Sequence, residues 1–265
     1  AFFGRKDVDI AGEDVVGVYA LIIGRGGSTG LPGKNTYPIL GRPLMAYPIL
    51  EAQRADSVDG IFLSTDSDEI MSVGRSLGAE HIERPPELAT RDALGEDAFV
   101  HGWQEMESRL HAEDKSIEVL VLLFCNAPTV TSELIDEGVE ILRKNPEIDS
   151  AVTVSRYNMW SPIRARRVTD EGLLQPFVPF ETFGDPAPLN CDRDSQGDVW
   201  FADMGVSIVR PRCLESLEEG LLPQKWMGQN IAPIYSEAGF DLDYEWQLPM
   251  AEWWLRKRGW TEKAD

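Results

Sequence analysis

Five glycines, one arginine and one lysine crowd into residues 24–34 of this 265-residue chain, directly after an apolar run at residues 18–23. Glycine lets backbone N–H groups converge on an anion with no Cβ in the way. Arg25 and Lys34 add fixed positive charge in a chain whose net charge is −20. The loop therefore reads as a phosphate cradle, with Gly26, Gly27, Ser28, Thr29, Gly30 and Asn35 as candidate ligand contacts and Arg25 and Lys34 as the charged, catalytic candidates. Two better-known glycine patterns are excluded. The P-loop requires Gly-Lys followed by Ser or Thr, and Gly33-Lys34 is followed by Asn35. The dinucleotide fingerprint fails at its last position, which is Thr29. A second chemical signal lies far downstream, where Asp241 and Asp243 alternate with Phe240 and Leu242. On a strand both carboxylates share one face. They repel each other unless a cation sits between them; without one, the pair reads as an acidic edge strand.

The elements that must position these residues follow from periodicity. Residues 15–23, 60–64, 79–82, 119–124, 151–154 and 203–209 read as short buried strands. Continuous apolar runs of this kind mark strands covered on both faces. Between them, residues 44–53, 65–78, 96–110 and 131–144 carry helical spacing, and 245–258 reads as a closing helix. Pro48 fits the first of these helices only in its opening turn or with a distortion. Thr65, Asp66 and Asp68 supply cap and first-turn chemistry for the second. Strands alternating with helices predict a doubly wound, three-layer α/β/α sheet of Rossmann-like type. Residues 157–200 break the pattern. They are rich in Pro, Arg, Asp and aromatics, and read as a β-rich excursion within a single domain spanning residues 1–265.

Composition bounds the partners. Asp and Glu number 45 against 25 Lys and Arg, a balance that repels nucleic acid. A small anion remains admissible where a divalent cation and local basic groups neutralise it. No apolar run approaches the roughly 20 residues that span a bilayer, and no signal peptide is evident. The three cysteines, Cys125, Cys191 and Cys213, have no metal spacing and predict free thiols in a cytoplasmic protein. His81, His101 and His111 fall outside the motifs and read as structural or surface groups.

The loop G-R-G-G-S-T-G-L-P-G-K-N, trailed by Gly41-Arg42-Pro43-Leu44, resembles the N-terminal signature of the CMP-sialic acid synthetase (acylneuraminate cytidylyltransferase) family. Three further pieces resemble it in order: Ser64-Thr65-Asp66, then Arg84-Pro-Pro-Glu-Leu-Ala-Thr-Arg-Asp92, then Asp241-Leu-Asp243-Tyr-Glu245. The resemblance implies a nucleotidyltransferase fold and CMP transfer from CTP to a small acidic acceptor with release of pyrophosphate. It further implies cytosine read by Arg84 and the backbone of Ala89 and Thr90, Mg²⁺ on Asp241 and Asp243, and a homodimer formed through the excursion. The chain departs from the family at Thr29, where a lysine is usual. It departs also at Phe124, Val130 and Met204, where Gln, Arg and Asn flank a sialic acid. The nucleotide half is kept and the acceptor half altered, which points away from sialic acid towards another sugar acid or a phosphonate. Asn126, Arg164 and Arg193 are the candidate acceptor contacts, because arginine forks suit a carboxylate or phosphonate. A transferase for a sugar phosphate or another nucleotide, and a catalytically inactive nucleotide-binding protein, remain the alternatives.

Overall fold

The computed structural model describes residues 15–27 and 30–263. Ser28 and Thr29 lie outside the described residues. The first apolar run forms β1 (Val15–Ile23), buried from Gly17 onward. A small antiparallel pair, β2 (Pro38–Ile39) and β3 (Arg42–Pro43), follows the glycine loop. Helix α1 (Ala46–Arg54) holds Pro48 as its third residue, inside the first turn, where the missing N–H has no intrahelical partner to lose. Strand β4 (Gly60–Thr65) leads to α2 (Asp68–Ser76). The cap of α2 is Ser67, whose hydroxyl accepts from Ile70 N; Thr65 instead accepts from Ser67 N at 3.1 Å, so the expected cap moves by two residues. Strand β5 (Glu80–Glu83), helix α3 (Gly95–His111), strand β6 (Lys115–Phe124) and helix α4 (Ser132–Lys144) then alternate as expected. Thr131 caps α4 by accepting from Leu134 N.

Strand β7 (Ser150–Arg156) leads into the excursion. This segment carries one short hairpin, β8 (Arg166–Val168) with β9 (Leu174–Pro176), and otherwise 3-10 turns and irregular chain. It is thus less β-rich than expected, because prolines and charged residues interrupt every apolar alternation. The chain returns as β10 (Trp200–Val209), followed by the short α5 (Pro211–Glu215), β11 (Ile231–Ser236) and α6 (Leu248–Lys257). The sheet order is β11-β7-β10-β6-β1-β4-β5. The parallel expectation holds for β6-β1-β4-β5. Strand β10 runs antiparallel to both β6 and β7. The reason is topological: the excursion leaves and re-enters the sheet at one end, pairing Trp200 with Arg156.

Two apolar layers clamp the sheet. Val18, Ala20 and Ile22 of β1 face α1, α2 and α4 through Ile49, Ile70 and Val139. Tyr19, Leu21 and Ile23 face α3 and α5 through Phe99, Met106 and Leu214. A third cluster joins the β2–β3 turn to α6 through Leu40, Tyr47 and Leu255. Among the described residues no helix is long and apolar enough to cross a membrane.

Phe99 on α3 is fully buried and meets Phe124 and Trp226 edge-on at 5.4 and 5.5 Å. Phe99→Ala should lower the unfolding free energy by about 3–5 kcal/mol, the cost of a large aromatic lost from a packed core, as read by urea denaturation.

Candidate active site

The strand order reverses between β1 and β6, and ligands of open α/β sheets bind in the crevice at the carboxyl ends of such strands. A cavity of about 440 Å³ lies there, walled by Ile23, Gly24 and Arg25 after β1 and by Phe124 and Asn126 at the end of β6. Lys34, Arg84, Asp243 and Tyr244 also line it.

The glycine loop is braced from several sides. Asn35 is buried and donates through Nδ2 to Arg25 O at 3.1 Å. Gly24 N donates to Ser64 O at 3.2 Å, and Gly26 N to the Asp66 carboxylate at 3.0 Å. Asp66 therefore holds the loop and does not cap α2. Arg25 donates to Thr90 O, spanning from the loop to the segment after β5. Arg84 is buried and donates to Ser64, by Nε to Oγ at 3.2 Å and by Nη2 to the carbonyl at 2.7 Å. Burial pushes its guanidinium below the usual arginine range, and the nearby Arg25 adds to the effect; an arginine stays a cation all the same. Burial also pushes the Cys125 thiol up to about 12, so the cysteine beside the loop is a neutral packing group and not a nucleophile.

The carboxylate segment arrives from the other end of the sequence. Residues 239–243 are irregular chain and not a strand, so the expected alternation does not place the carboxylates. Hydrogen bonds do. Leu242 N donates to Asn126 O at 2.9 Å. Gln247 accepts from Asp243 N at 2.7 Å and Tyr244 N at 2.8 Å, and donates to Asp241 O at 3.0 Å. This folds the segment back so that the two aspartates differ. Asp243 faces the cavity and is ion-paired with Lys34. Asp241 is turned inward, and its Oδ1 is buried without a hydrogen-bond partner. Burial, then Asp243, pushes its pKa up to about 7. Gly30 admits this approach, because a Cβ there would overlap the Asp243 carbonyl.

An orphaned buried carboxylate oxygen next to a second carboxylate fits a divalent cation. Among the described residues no three metal-binding side chains form a ready cage. Mg²⁺ is held by one or two carboxylates, keeps waters and completes its shell with substrate phosphates.

The structure gathers Arg25, Gly30, Lys34, Asn35, Arg84, Asn126 and Asp243 around one cavity. Of the other described candidates, Gly26, Gly27, Asp241, Ala89 and Thr90 do not line it, and Ser28 and Thr29 lie outside the described residues. Ala89 and Thr90 line an adjoining cavity, with Asp66 and His81. The stretch on the main wall is instead Ala93, Leu94 and Gly95, at the start of α3. The first-turn N–H groups of a helix have no intrahelical acceptors, and a Gly directly before a helical run was the available sequence signal. Arg164 and Arg193, the expected acceptor contacts, do not line this cavity either. Arg164 lines a separate cavity in the excursion and donates to Cys191 O at 2.8 Å. Arg193 is exposed beside Asp194. Their acidic and carbonyl neighbours within the excursion claim them. Tyr244 and Gln247 carried no sequence signal.

Comparison with known proteins identifies this arrangement. The profile of the family described as "Cytidylyltransferase" matches residues 19–170, more than half of the chain. The chain belongs to the cytidylyltransferase family. It is similar to N-acylneuraminate cytidylyltransferase of Oncorhynchus mykiss, 27% identical over 236 residues, covering 89% of this chain and 49% of that protein. N-acylneuraminate cytidylyltransferase A of Danio rerio is 29% identical over 250 residues, covering 93% and 52%. CMP-N,N'-diacetyllegionaminic acid synthase of Legionella pneumophila is 30% identical over 158 residues, covering 59% and 65%. This cytidylyltransferase chain thus spans about half the length of the two fish relatives. Its fold matches a CMP:2-keto-3-deoxy-manno-octonic acid synthetase structure with a TM-score of 0.65 at 15% identity, covering 91% and 99% of the two chains.

The raised pKa of Asp241 has a stability consequence. Its folded value, about 7, lies above the ordinary unfolded value of about 3.9, so the unfolded chain releases this proton first. The contribution is fully present below pH ~4 and is lost as pH rises through ~7. Metal-free Asp241→Asn should therefore melt higher than wild type at pH 8, with the difference shrinking towards pH 4 in paired thermal melts.

Proposed function

We propose that this chain transfers CMP from CTP to a small acidic acceptor, a sugar acid or a phosphonate, with release of pyrophosphate. The observation that carries this reading is the single cavity in which the basic glycine loop meets Asp243 through Lys34, in a chain of the cytidylyltransferase family. The relatives named N-acylneuraminate cytidylyltransferase and CMP-N,N'-diacetyllegionaminic acid synthase support a sugar acid as the acceptor. Phe124, Val130 and Met204 at the acceptor end support an acceptor other than sialic acid.

The acceptor oxygen attacks the α-phosphorus, the new O–P bond forms and pyrophosphate leaves. The protein has little covalent work to do, so catalysis is positioning and charge stabilisation. Arg25 and Lys34 hold the triphosphate with the loop amides. The stretch Ala93–Leu94–Gly95 and Arg84 form the wall against which the cytosine rests. Asp241 and Asp243 would hold Mg²⁺, which when bound neutralises triphosphate charge and the leaving pyrophosphate. Lys34 keeps Asp243 ordered until the nucleotide arrives, then offers its ammonium to the phosphates.

The excursion is the proposed homodimer surface. Trp160, Val168, Leu173, Leu174, Phe177 and Phe183 are all more than half exposed, and this many exposed large apolar side chains within one segment support an interaction face there. A Leu174→Lys, Phe177→Lys double variant should sediment as a monomer where the parent sediments as a dimer.

The activity test is pyrophosphate release with CTP, ATP, GTP and UTP, each against a panel of keto-sugar acids and phosphonates. CTP should be preferred. Asp243→Ala should abolish turnover with an unchanged far-UV circular dichroism spectrum, and Lys34→Ala should lower kcat by about 10²–10³-fold, as for a lost transition-state charge partner. CTP binding without pyrophosphate release on any acidic acceptor would favour a nucleotide-binding protein instead. Unchanged turnover in Asp243→Ala would remove the metal role.

A further inference from the structure

Strand β10 is broken where it passes the carboxylate segment. Its register with β7 shifts between Ala202 and Ser207, and Met204 at the break has φ +58°. A non-glycine residue in the left-handed region is strained and persists only where its surroundings demand it. The bulge turns Asp203 towards the sheet interior, as bulges beside functional sites re-aim side chains. There its carboxylate accepts from the hydroxyls of Thr153 and Ser155 on β7 and from Gly205 N at 3.0 Å. Three donors fix it firmly. Gly239, two residues before Asp241, rests directly on this carboxylate, and a Cβ on Gly239 would overlap it. Tyr157 closes the contact from the other side, donating to Gly239 O at 3.1 Å.

We propose that Asp203 is a positioning residue: its fixed carboxyl group is the seat for Gly239 that sets where Asp241 and Asp243 present their oxygens to the divalent cation. Packing alone would not need an acid at this half-buried position, since even partial desolvation of a carboxylate is costly. The three donors and the strained bulge hold this acid in one place, and the segment above it has no sheet pairing of its own to fix its height. Gln247 and Asn126 fasten the segment beyond Gly239, while Asp203 and Tyr157 fasten its entry. This inference rests on the reading of Asp241 and Asp243 as the cation-holding pair.

The test uses Mn²⁺ as probe, followed by its electron paramagnetic resonance with and without CTP, alongside the Mg²⁺ dependence of pyrophosphate release. Asp203→Ala and Gly239→Ala should each weaken Mn²⁺ binding, and raise the half-saturating Mg²⁺, by about tenfold or more, the loss typical of removing a group that orients a metal ligand. KM for CTP at saturating Mg²⁺ should stay within about twofold. The double variant should be no worse than either single one, because the alanine at 203 vacates the space that the new Cβ needs. Asp203→Asn keeps the shape and the acceptor oxygen, and should restore binding to within about threefold. Wild type that binds no Mn²⁺, or Asp243→Ala that binds it normally, would overturn the metal reading and this inference together. Normal Mn²⁺ binding in both Asp203→Ala and Gly239→Ala, or a loss in Asp203→Asn equal to that in Asp203→Ala, would overturn this inference alone.

Discussion

The ion pair between Lys34 and Asp243 joins two segments that the sequence keeps far apart, and the site exists only where they meet. Its free-energy contribution as a partly exposed pair is small. Its consequence is geometric. Lys34 follows directly on the left-handed Gly33, and Asp243 is reached only because Gly30 has no side chain to block the approach. The glycine loop is thus shaped on both sides at once, by the strand end that launches it and by the carboxylate segment that lies against it. The same pairing gives one aspartate a cation partner and leaves the other, Asp241, buried with an unpartnered oxygen.

That asymmetry explains why two carboxylates can share a site in an already acidic chain. Two ionised aspartates in contact are unfavourable. Here one is balanced by Lys34 and the other is held by burial in a range where it is readily neutral. Of the positive groups facing the cavity, Arg25 and Lys34 belong to the loop after β1 and Arg84 follows β5, while the acids arrive from the far end of the chain. Charge complementarity with a triphosphate is therefore a property of the assembled sheet and not of any one segment.

The sheet and the nucleotide-facing loop were legible in the sequence because buried parallel strands write continuous apolar runs and glycine loops write themselves in composition. β1, β6, α3 and α4 fall within a few residues of their expected spans. Strand β11 (Ile231–Ser236) was not legible: its alternation is interrupted by Pro233 on an edge, where a missing N–H costs no inner ladder bond. The antiparallel β10 was hidden too, because direction depends on where the excursion returns and not on local pattern. The aspartate pair was found for the right residues on the wrong local geometry. Alternation suggested a strand, while Gln247 and Asn126 supply the hydrogen bonds that a neighbouring strand would have given. Arg164 and Arg193 lie off the cavity, because residue type reports what a side chain can bind and not which neighbour claims it first.

The excursion follows a different physical logic from the cavity wall. Asn35 and Arg84 are tied to backbone carbonyls beside the ends of β1 and β4, so their positions are inherited from the sheet and change only with it. The arginines of the excursion are tied to one another's neighbours: Arg156 to Asp198, Arg193 to Asp194, Arg164 to Cys191 O. Such local, exposed pairs are weak and exchangeable, and they sit on a segment with almost no sheet to hold it. A change of residue there leaves the core undisturbed, whereas a change at Gly30 or Arg84 would disturb the cavity wall and its packing. Residues tied into the sheet are therefore constrained by folding, and those of the excursion only by local contacts that exchange at little cost.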